Sequence, residues 1–194
     1  MNIKRQGSGI RSQGSDKKNS SLTTGHSRLI FILGGARSGK STYALKLAES
    51  TPGKRLYLAT AEALDDEMAE RIKKHKRGRG NNWTTIEEPV KIADVIAKDK
   101  KHDVILLDCI TIWLSNLITN SASKIENYIN SLVSACKKTK ANIIVVSNEV
   151  GLGIVPDNPL AREFRDIAGI ANQKIAAAAD ETYFVVSGIG VKVK

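Results

Sequence analysis

Residues 31–44 read FILGGARSGKSTYA: an apolar run gives way to two glycines, a basic residue and Gly-Lys-Ser. Gly34, Gly35, Ala36, Arg37, Ser38, Gly39, Lys40 and Ser41 fill every fixed position of the pattern G-x-x-x-x-G-K-[ST]. The chemistry explains the spacing. Small residues let consecutive backbone N–H groups close around phosphate oxygens. Lys40 supplies a point charge to the outer phosphates, the Ser41 hydroxyl ligates Mg²⁺, and the helix that starts here adds its positive end. Context makes the match specific. Leu29 to Leu33 is a short apolar, partly β-branched run, the pattern of a buried strand. Ala44, Leu45, Leu47 and Ala48 mark an amphipathic helix over 41–50, stopped by Thr51-Pro52-Gly53.

Outward from the loop, almost wholly apolar stretches predict strands at 55–60, 103–108, 142–148 and 181–187. Helices are predicted over 65–76 and 125–138, and from the Asn158-Pro159 pair to about residue 179. Apolar strands alternating with helices imply a parallel sheet covered on both faces. The expected fold class is α/β: a three-layer P-loop NTPase (RecA-like) fold with a mostly parallel central sheet. A phosphate loop of this kind needs an acid on its metal side. DVILLD ends in Asp108 after four apolar residues, so its carboxylate is expected to hold Mg²⁺ together with Ser41.

The formal net charge is +10, much of it in residues 1–28 and 73–79. Residues 1–27 are rich in Ser, Gly, Lys and Arg and too poor in apolar groups to offset chain entropy. We expect a disordered basic tail there, without the apolar core of a signal peptide, and one folded domain over 28–194. No run of about 18 apolar residues exists, so no membrane span is expected. Cys109 and Cys136 sit in apolar or helical contexts and read as reduced thiols, which suits the cytoplasm.

A phosphate loop is shared by small-molecule kinases, ATPases, GTPase switches and RecA-like motors, so it does not settle function. The next informative segment is residues 64–83, LDDEMAERIKKHKRGRGNNW. On a helix, Met68, Ile72 and His75 fall at i, i+4 and i+7, and Lys73, Lys74, Lys76, Arg77 and Arg79 surround the histidine. Spacing leaves two readings open: a solvated basic helix end with His75 as bystander, or a nucleophilic imidazole beside cations that stabilise a triphosphate undergoing displacement. His26 and His102 read as solvated, and no His/Cys spacing suggests zinc. Met68, Trp83 and Trp113 read as core or pocket wall. Arg162 and Arg165 read as a solvated face or subunit contact. Asn148 and Glu149 end a strand on the ligand side of a parallel sheet, as loop caps or as contacts to phosphate, metal or substrate.

Several blocks together carry a family resemblance: GGARSGKS, LATAEALDDEMAERIKKHKRGR, WTTIEEP, LLDCITIWLSNL and SNEVGLGIVPDNPLAREFRDIAGIANQKIAAAAD. The chain resembles, from Arg28 to Lys194, the bifunctional adenosylcobinamide kinase / adenosylcobinamide-phosphate guanylyltransferase family of cobalamin biosynthesis. The resemblance implies two reactions. ATP or GTP phosphorylates adenosylcobinamide, and GMP then passes from GTP through a guanylylated histidine to give adenosylcobinamide-GDP and pyrophosphate. It places that histidine on His75, although Lys74 stands where some relatives carry another histidine. It also implies that Gly34 to Ser41 bind triphosphate. Leu58, Ala59 and Thr60 would line the nucleotide site, Lys76, Arg77, Gly78 and Arg79 would continue it, and Glu87 and Asp108 would complete it. A homotrimer is implied as well. The alternatives are a kinase alone and a nucleic-acid-dependent P-loop ATPase suggested by the charge. Aromatics at 5% offer few stacking platforms for the latter, so no nucleic-acid partner is expected.

Overall fold

The computed structural model describes residues 27–62, 80 and 82–194. Among them, seven strands form one sheet: β1 (Leu29–Gly34), β2 (Arg55–Ala59), β3 (Trp83–Glu87), β4 (Val104–Asp108), β5 (Asn142–Asn148), β6 (Glu181–Val186) and β7 (Ile189–Lys192). Their order is β3-β2-β4-β5-β1-β6-β7. Neighbours from β3 to β6 run parallel, and β7 returns antiparallel to β6. The helices are α1 (Lys40–Glu49), α2 (Ile92–Lys98), α3 (Ile110–Ser121), α4 (Ile125–Lys138) and α5 (Pro159–Ala178), with a short 3₁₀ turn before α4.

Strand alternation sends successive side chains to opposite faces. On one face Ile30, Ile32, Tyr57, Leu106, Ile144, Val146 and Val185 form a core with Ala44 and Ala48 of α1. Small residues at those two positions let the helix after the phosphate loop lie close on the sheet. On the other face Phe31, Leu56, Leu58, Ile105, Leu107, Ile143 and Val145 pack against α2 to α5. Trp113 of α3 is wholly buried there, and its indole N–H donates to the Val90 carbonyl at 2.8 Å. The Asn158 side chain caps α5 by accepting from Leu160 N at 2.8 Å, as the Asn-Pro signal predicts.

The five predicted strands fall within a residue or two of β1, β2, β4, β5 and β6. Elements not predicted are β3, α2, α3 and β7. β3 is a polar, half-exposed edge, and α2 is only seven residues long. α3 opens on an apolar turn directly after β4, without a capping signal. β7 is formed by a tight turn in which Ser187 (φ 50°) and Gly188 (φ 82°) are both left-handed, the geometry of a two-residue hairpin. The predicted helix at 65–76 and the basic tail up to residue 26 lie outside the described residues. No helix among the described residues is long and apolar enough to cross a membrane.

Candidate active site

The phosphate loop hangs between two strands. Gly34, the last residue of β1, pairs with Asn148 of β5 and Val185 of β6. A Cβ on Gly34 would stand 2.6 Å from the Val185 carbonyl oxygen and 2.5 Å from Ser38 Oγ, so only glycine fits. Gly39 has φ +89°, and a Cβ there would meet Gly188 Cα at 3.0 Å. Arg37 is also left-handed, at φ 55°. These turns fold the loop back on itself, so that Ser38 N donates to Gly35 O at 3.3 Å and Tyr43 N to Gly39 O at 2.9 Å. Lys40 is buried, and its Nζ donates to the Gly35 carbonyl at 3.1 Å, across the mouth of the loop. The Ser38 hydroxyl is buried without a hydrogen-bond partner among the described residues.

Asp108 ends β4 opposite Ala59 of β2, and Ala59 in turn pairs with Glu87 of β3. These residues share one row at the carboxyl edge of the sheet, the edge from which the phosphate loop rises. Asp108 Oδ2 accepts a hydrogen bond from the Tyr57 hydroxyl at 2.8 Å. Thr60 binds the row together: its Oγ1 donates to Cys109 O at 2.8 Å and accepts from Cys109 N at 2.9 Å. Asn116 Nδ2 donates to Thr60 O at 2.9 Å and Pro89 O at 3.1 Å, joining the ends of β2 and β3 to α3. At the end of β5, Thr111 Oγ1 accepts from Asn148 N and Nδ2 at 2.8 and 3.0 Å, and Glu149 N donates to Gly34 O at 3.1 Å.

The structure thus brings Gly34 to Ser41, Ala59, Thr60, Glu87 and Asp108 to one edge. Leu58 is wholly buried in the core, and the Thr60 side chain is spent on Cys109. His75, Lys76, Arg77, Gly78 and Arg79 lie outside the described residues, as does Met68. Sequence reading passed over Tyr57, Thr111, Asn116 and Gly188. Their partners are distant in the chain, and no local pattern signals them. His102 is a correction. It is not solvated: its Nδ1 lies 2.6 Å from Asp99 Oδ2 and its Nε2 3.0 Å from Thr84 Oγ1, with its side chain 10% exposed. The loop between α2 and β4, turned by Asp99 accepting from the backbone of Lys101 and His102, brings it against Thr84 of β3. Arg162 is likewise occupied, donating to the Pro156 and Asp157 carbonyls.

Cys109 and Cys136 are free and buried, and burial pushes their thiols up to about 11 and about 12. Among the described residues no group of three or more His, Cys, Asp or Glu could hold a metal ion. The donors at the edge, a carboxylate and a hydroxyl, are hard oxygens that suit Mg²⁺ when phosphate oxygens and water complete the shell.

A family model described as cobinamide kinase / cobinamide phosphate guanyltransferase matches residues 30–193. The chain is 46% identical over 181 residues to the bifunctional adenosylcobalamin biosynthesis protein CobU of Salmonella typhimurium, covering 86% of this chain and 99% of that protein. It is 38% identical over 166 residues to the bifunctional adenosylcobalamin biosynthesis protein CobP of Pseudomonas aeruginosa, covering 84% and 96%. Among solved structures it is similar to the flagellar accessory protein FlaH of Methanocaldococcus jannaschii, with TM-score 0.52 and 17% identity over 87% of this chain and 79% of that one. It is also similar to the ATPase EscN of the enteropathogenic E. coli type III secretion system, with TM-score 0.55 and 10% identity over 83% and 43%. At such identities the likeness is one of fold, and the fold is the three-layer P-loop NTPase type expected from the sequence. The match of the family model over residues 30–193, with relatives alike along nearly their full length, leads to one conclusion: the chain belongs to the cobinamide kinase / cobinamide phosphate guanyltransferase family.

Proposed function

We propose that this protein catalyses both reactions for which its family is named. In the kinase step the aminopropanol oxygen of adenosylcobinamide bonds to the γ-phosphorus of ATP or GTP. The bond from that phosphorus to the bridging oxygen breaks, the hydroxyl proton is released, and the nucleoside diphosphate leaves. In the second step an imidazole nitrogen of His75 bonds to the α-phosphorus of GTP, and pyrophosphate departs. A phosphate oxygen of adenosylcobinamide phosphate then attacks the same phosphorus. The P–N bond breaks, and adenosylcobinamide-GDP is released with His75 restored.

The observation that carries this reading is the coincidence of a closed phosphate loop, Gly34 to Ser41, with family membership over residues 30–193. Backbone N–H groups of the loop and the Lys40 ammonium bind the polyphosphate and offset its charge. Ser41 and Asp108 are the residues that would hold Mg²⁺, which when bound supplies charge neutralisation to the phosphates. Ala59, Thr60 and Glu87 shape the nucleotide end of the site, Leu58 backs it from the core, and Lys76, Arg77, Gly78 and Arg79 accompany His75.

We further read the protein as a cytoplasmic homotrimer. Ile189, Val191 and Val193, exposed on and after the sheet-edge strand β7, are apolar surface available to a neighbouring copy. Light scattering after size exclusion checks this, and a monomeric mass contradicts it. The test of the chemistry is GTP labelled at the α-phosphate. Acid-labile label should remain on the protein and be absent from His75→Ala, which should still phosphorylate adenosylcobinamide. Kinase activity with no adduct in either protein would leave a kinase alone.

A further inference from the structure

Tyr57 belongs to a core that is otherwise apolar. It is 5% exposed, in the buried cluster on the α1 face of the sheet, beside Leu106 of the neighbouring strand β4. Its ring meets Trp83 edge-on, with centroids 6.2 Å apart and planes at 77°. A phenylalanine would fill the same space and keep the same ring contact. The hydroxyl is the part that packing does not explain, and it donates to Asp108 Oδ2 at 2.8 Å. The register accounts for the reach. Tyr57 pairs with Leu106, two residues before Asp108, so both side chains stand on the same face of neighbouring strands.

We propose that Tyr57 is the positioning residue for the carboxylate of Asp108, holding it in the rotamer that presents its second oxygen, Oδ1, to the nucleotide-bound cation. This rests on the reading of Asp108 as the acid on the metal side of the phosphate loop. A strand-end aspartate at the sheet's edge has freedom about two side-chain torsions. One donated bond from a ring that is itself buried and held against Trp83 removes that freedom. A bare hydroxyl buried for packing alone would be satisfied by any acceptor. Here the acceptor is the one carboxylate at the end of β4, in the row that faces the phosphate loop. Groups that orient a metal ligand in this way change metal affinity or activity by about 10- to 100-fold when removed.

The test uses the full chain with a non-hydrolysable ATP analogue and Mn²⁺ as the probe, its binding followed by electron paramagnetic resonance. Metal-free analogue affinity and the melting transition serve as controls for folding. Tyr57→Phe is expected to melt cooperatively and bind the metal-free analogue as the parent does. Its Mn²⁺ affinity should be about 10-fold weaker, with kcat lowered more than KM for ATP changes. Replacing Tyr57 by 4-aminophenylalanine restores a donor on the same ring and should recover most of that loss; it also serves if Tyr57→Phe fails to fold. Asp108→Asn separates the two claims. Weak Mn²⁺ binding in Asp108→Asn with parental binding in Tyr57→Phe overturns the role of Tyr57 alone. Parental Mn²⁺ binding in both variants overturns the metal-side reading of Asp108, and the proposal with it.

Discussion

Gly188 N donates to Ser38 O at 2.7 Å, so the turn between β6 and β7 is fastened directly to the phosphate loop. The same contact is close enough that a Cβ on Gly39 would meet Gly188 Cα at 3.0 Å. The hairpin at the far end of the chain therefore acts as a wall that keeps the loop in its turned conformation.

Gly39→Ala should damage the site twice, through the left-handed backbone at φ +89° and through the encounter with Gly188. The strain amounts to about 1–3 kcal/mol. Because the loop can relieve it by opening, nucleotide affinity is expected to fall by at least about 10-fold while the melting temperature drops by only a few degrees. Calorimetric titration with GTP and thermal melting check this. Unchanged GTP affinity contradicts it.

Thr60 completes both backbone groups of Cys109 with one hydroxyl. Thr60→Val keeps the shape and strands the buried N–H of Cys109, at about 1–3 kcal/mol for the unsatisfied group, while the Cys109 carbonyl keeps the bond it accepts from Trp113 N at 3.2 Å. Thr60→Ser keeps the hydroxyl and should lose far less. Urea denaturation of the pair measures the difference, and equal midpoints would show that the hydroxyl carries no weight.

How much of this was legible beforehand differs by element. The phosphate loop and the strands β1, β2, β4, β5 and β6 are written locally, as glycines at fixed spacing and as apolar runs of strand length. The place of Asp108 at the end of β4 was legible from the apolar run before it; its role toward a cation is a proposal. α3 was not legible, since its first turn carries Ile110, Ile112, Trp113 and Leu114 straight after β4, and a short apolar run does not separate a buried helix from a buried strand. β3 and β7 owe their existence to the neighbours they pair with. The links Tyr57–Asp108, Thr60–Cys109 and Asn116–Pro89 span 51, 49 and 27 residues of sequence, and only the folded register brings them together. His102 was misread for the same reason: its lysine neighbours suggested solvent, whereas its partners Asp99 and Thr84 place it under β3.

That histidine carries a pH prediction through its partner. Burial pushes the Asp99 carboxyl up, but hydrogen bonds from the His102 ring and from the backbone N–H groups of Lys101 and His102 outweigh it. The net effect holds the carboxyl below its ordinary value of 3.8. A depressed folded-state value means that the ionised carboxylate stabilises the fold fully above pH 3.8 and that this contribution fades as pH falls through the lowered value. Asp99→Asn should therefore be less stable than the parent near neutral pH, with the gap narrowing below about pH 4. Denaturation midpoints across that range check it, and a gap independent of pH contradicts it.

Burial raises the Cys136 thiol to about 12, so thiolate is scarce at neutral pH as well as inaccessible. Alkylation by iodoacetamide at pH 8 should proceed only at the rate of unfolding and become rapid in denaturant. Mass spectrometry of timed samples measures this, and fast modification of the native protein contradicts the buried placement.

In the proposed reaction one imidazole carries GMP between two substrates beside a loop that grips the polyphosphate. Its most direct measurement is a chase. Protein loaded from α-labelled GTP is freed of nucleotide and then mixed with adenosylcobinamide phosphate. The label should leave the protein and appear quantitatively in adenosylcobinamide-GDP, with His75→Ala never taking it up. Label that His75→Ala acquires as readily as the parent, or that stays on the protein through the chase, contradicts the account.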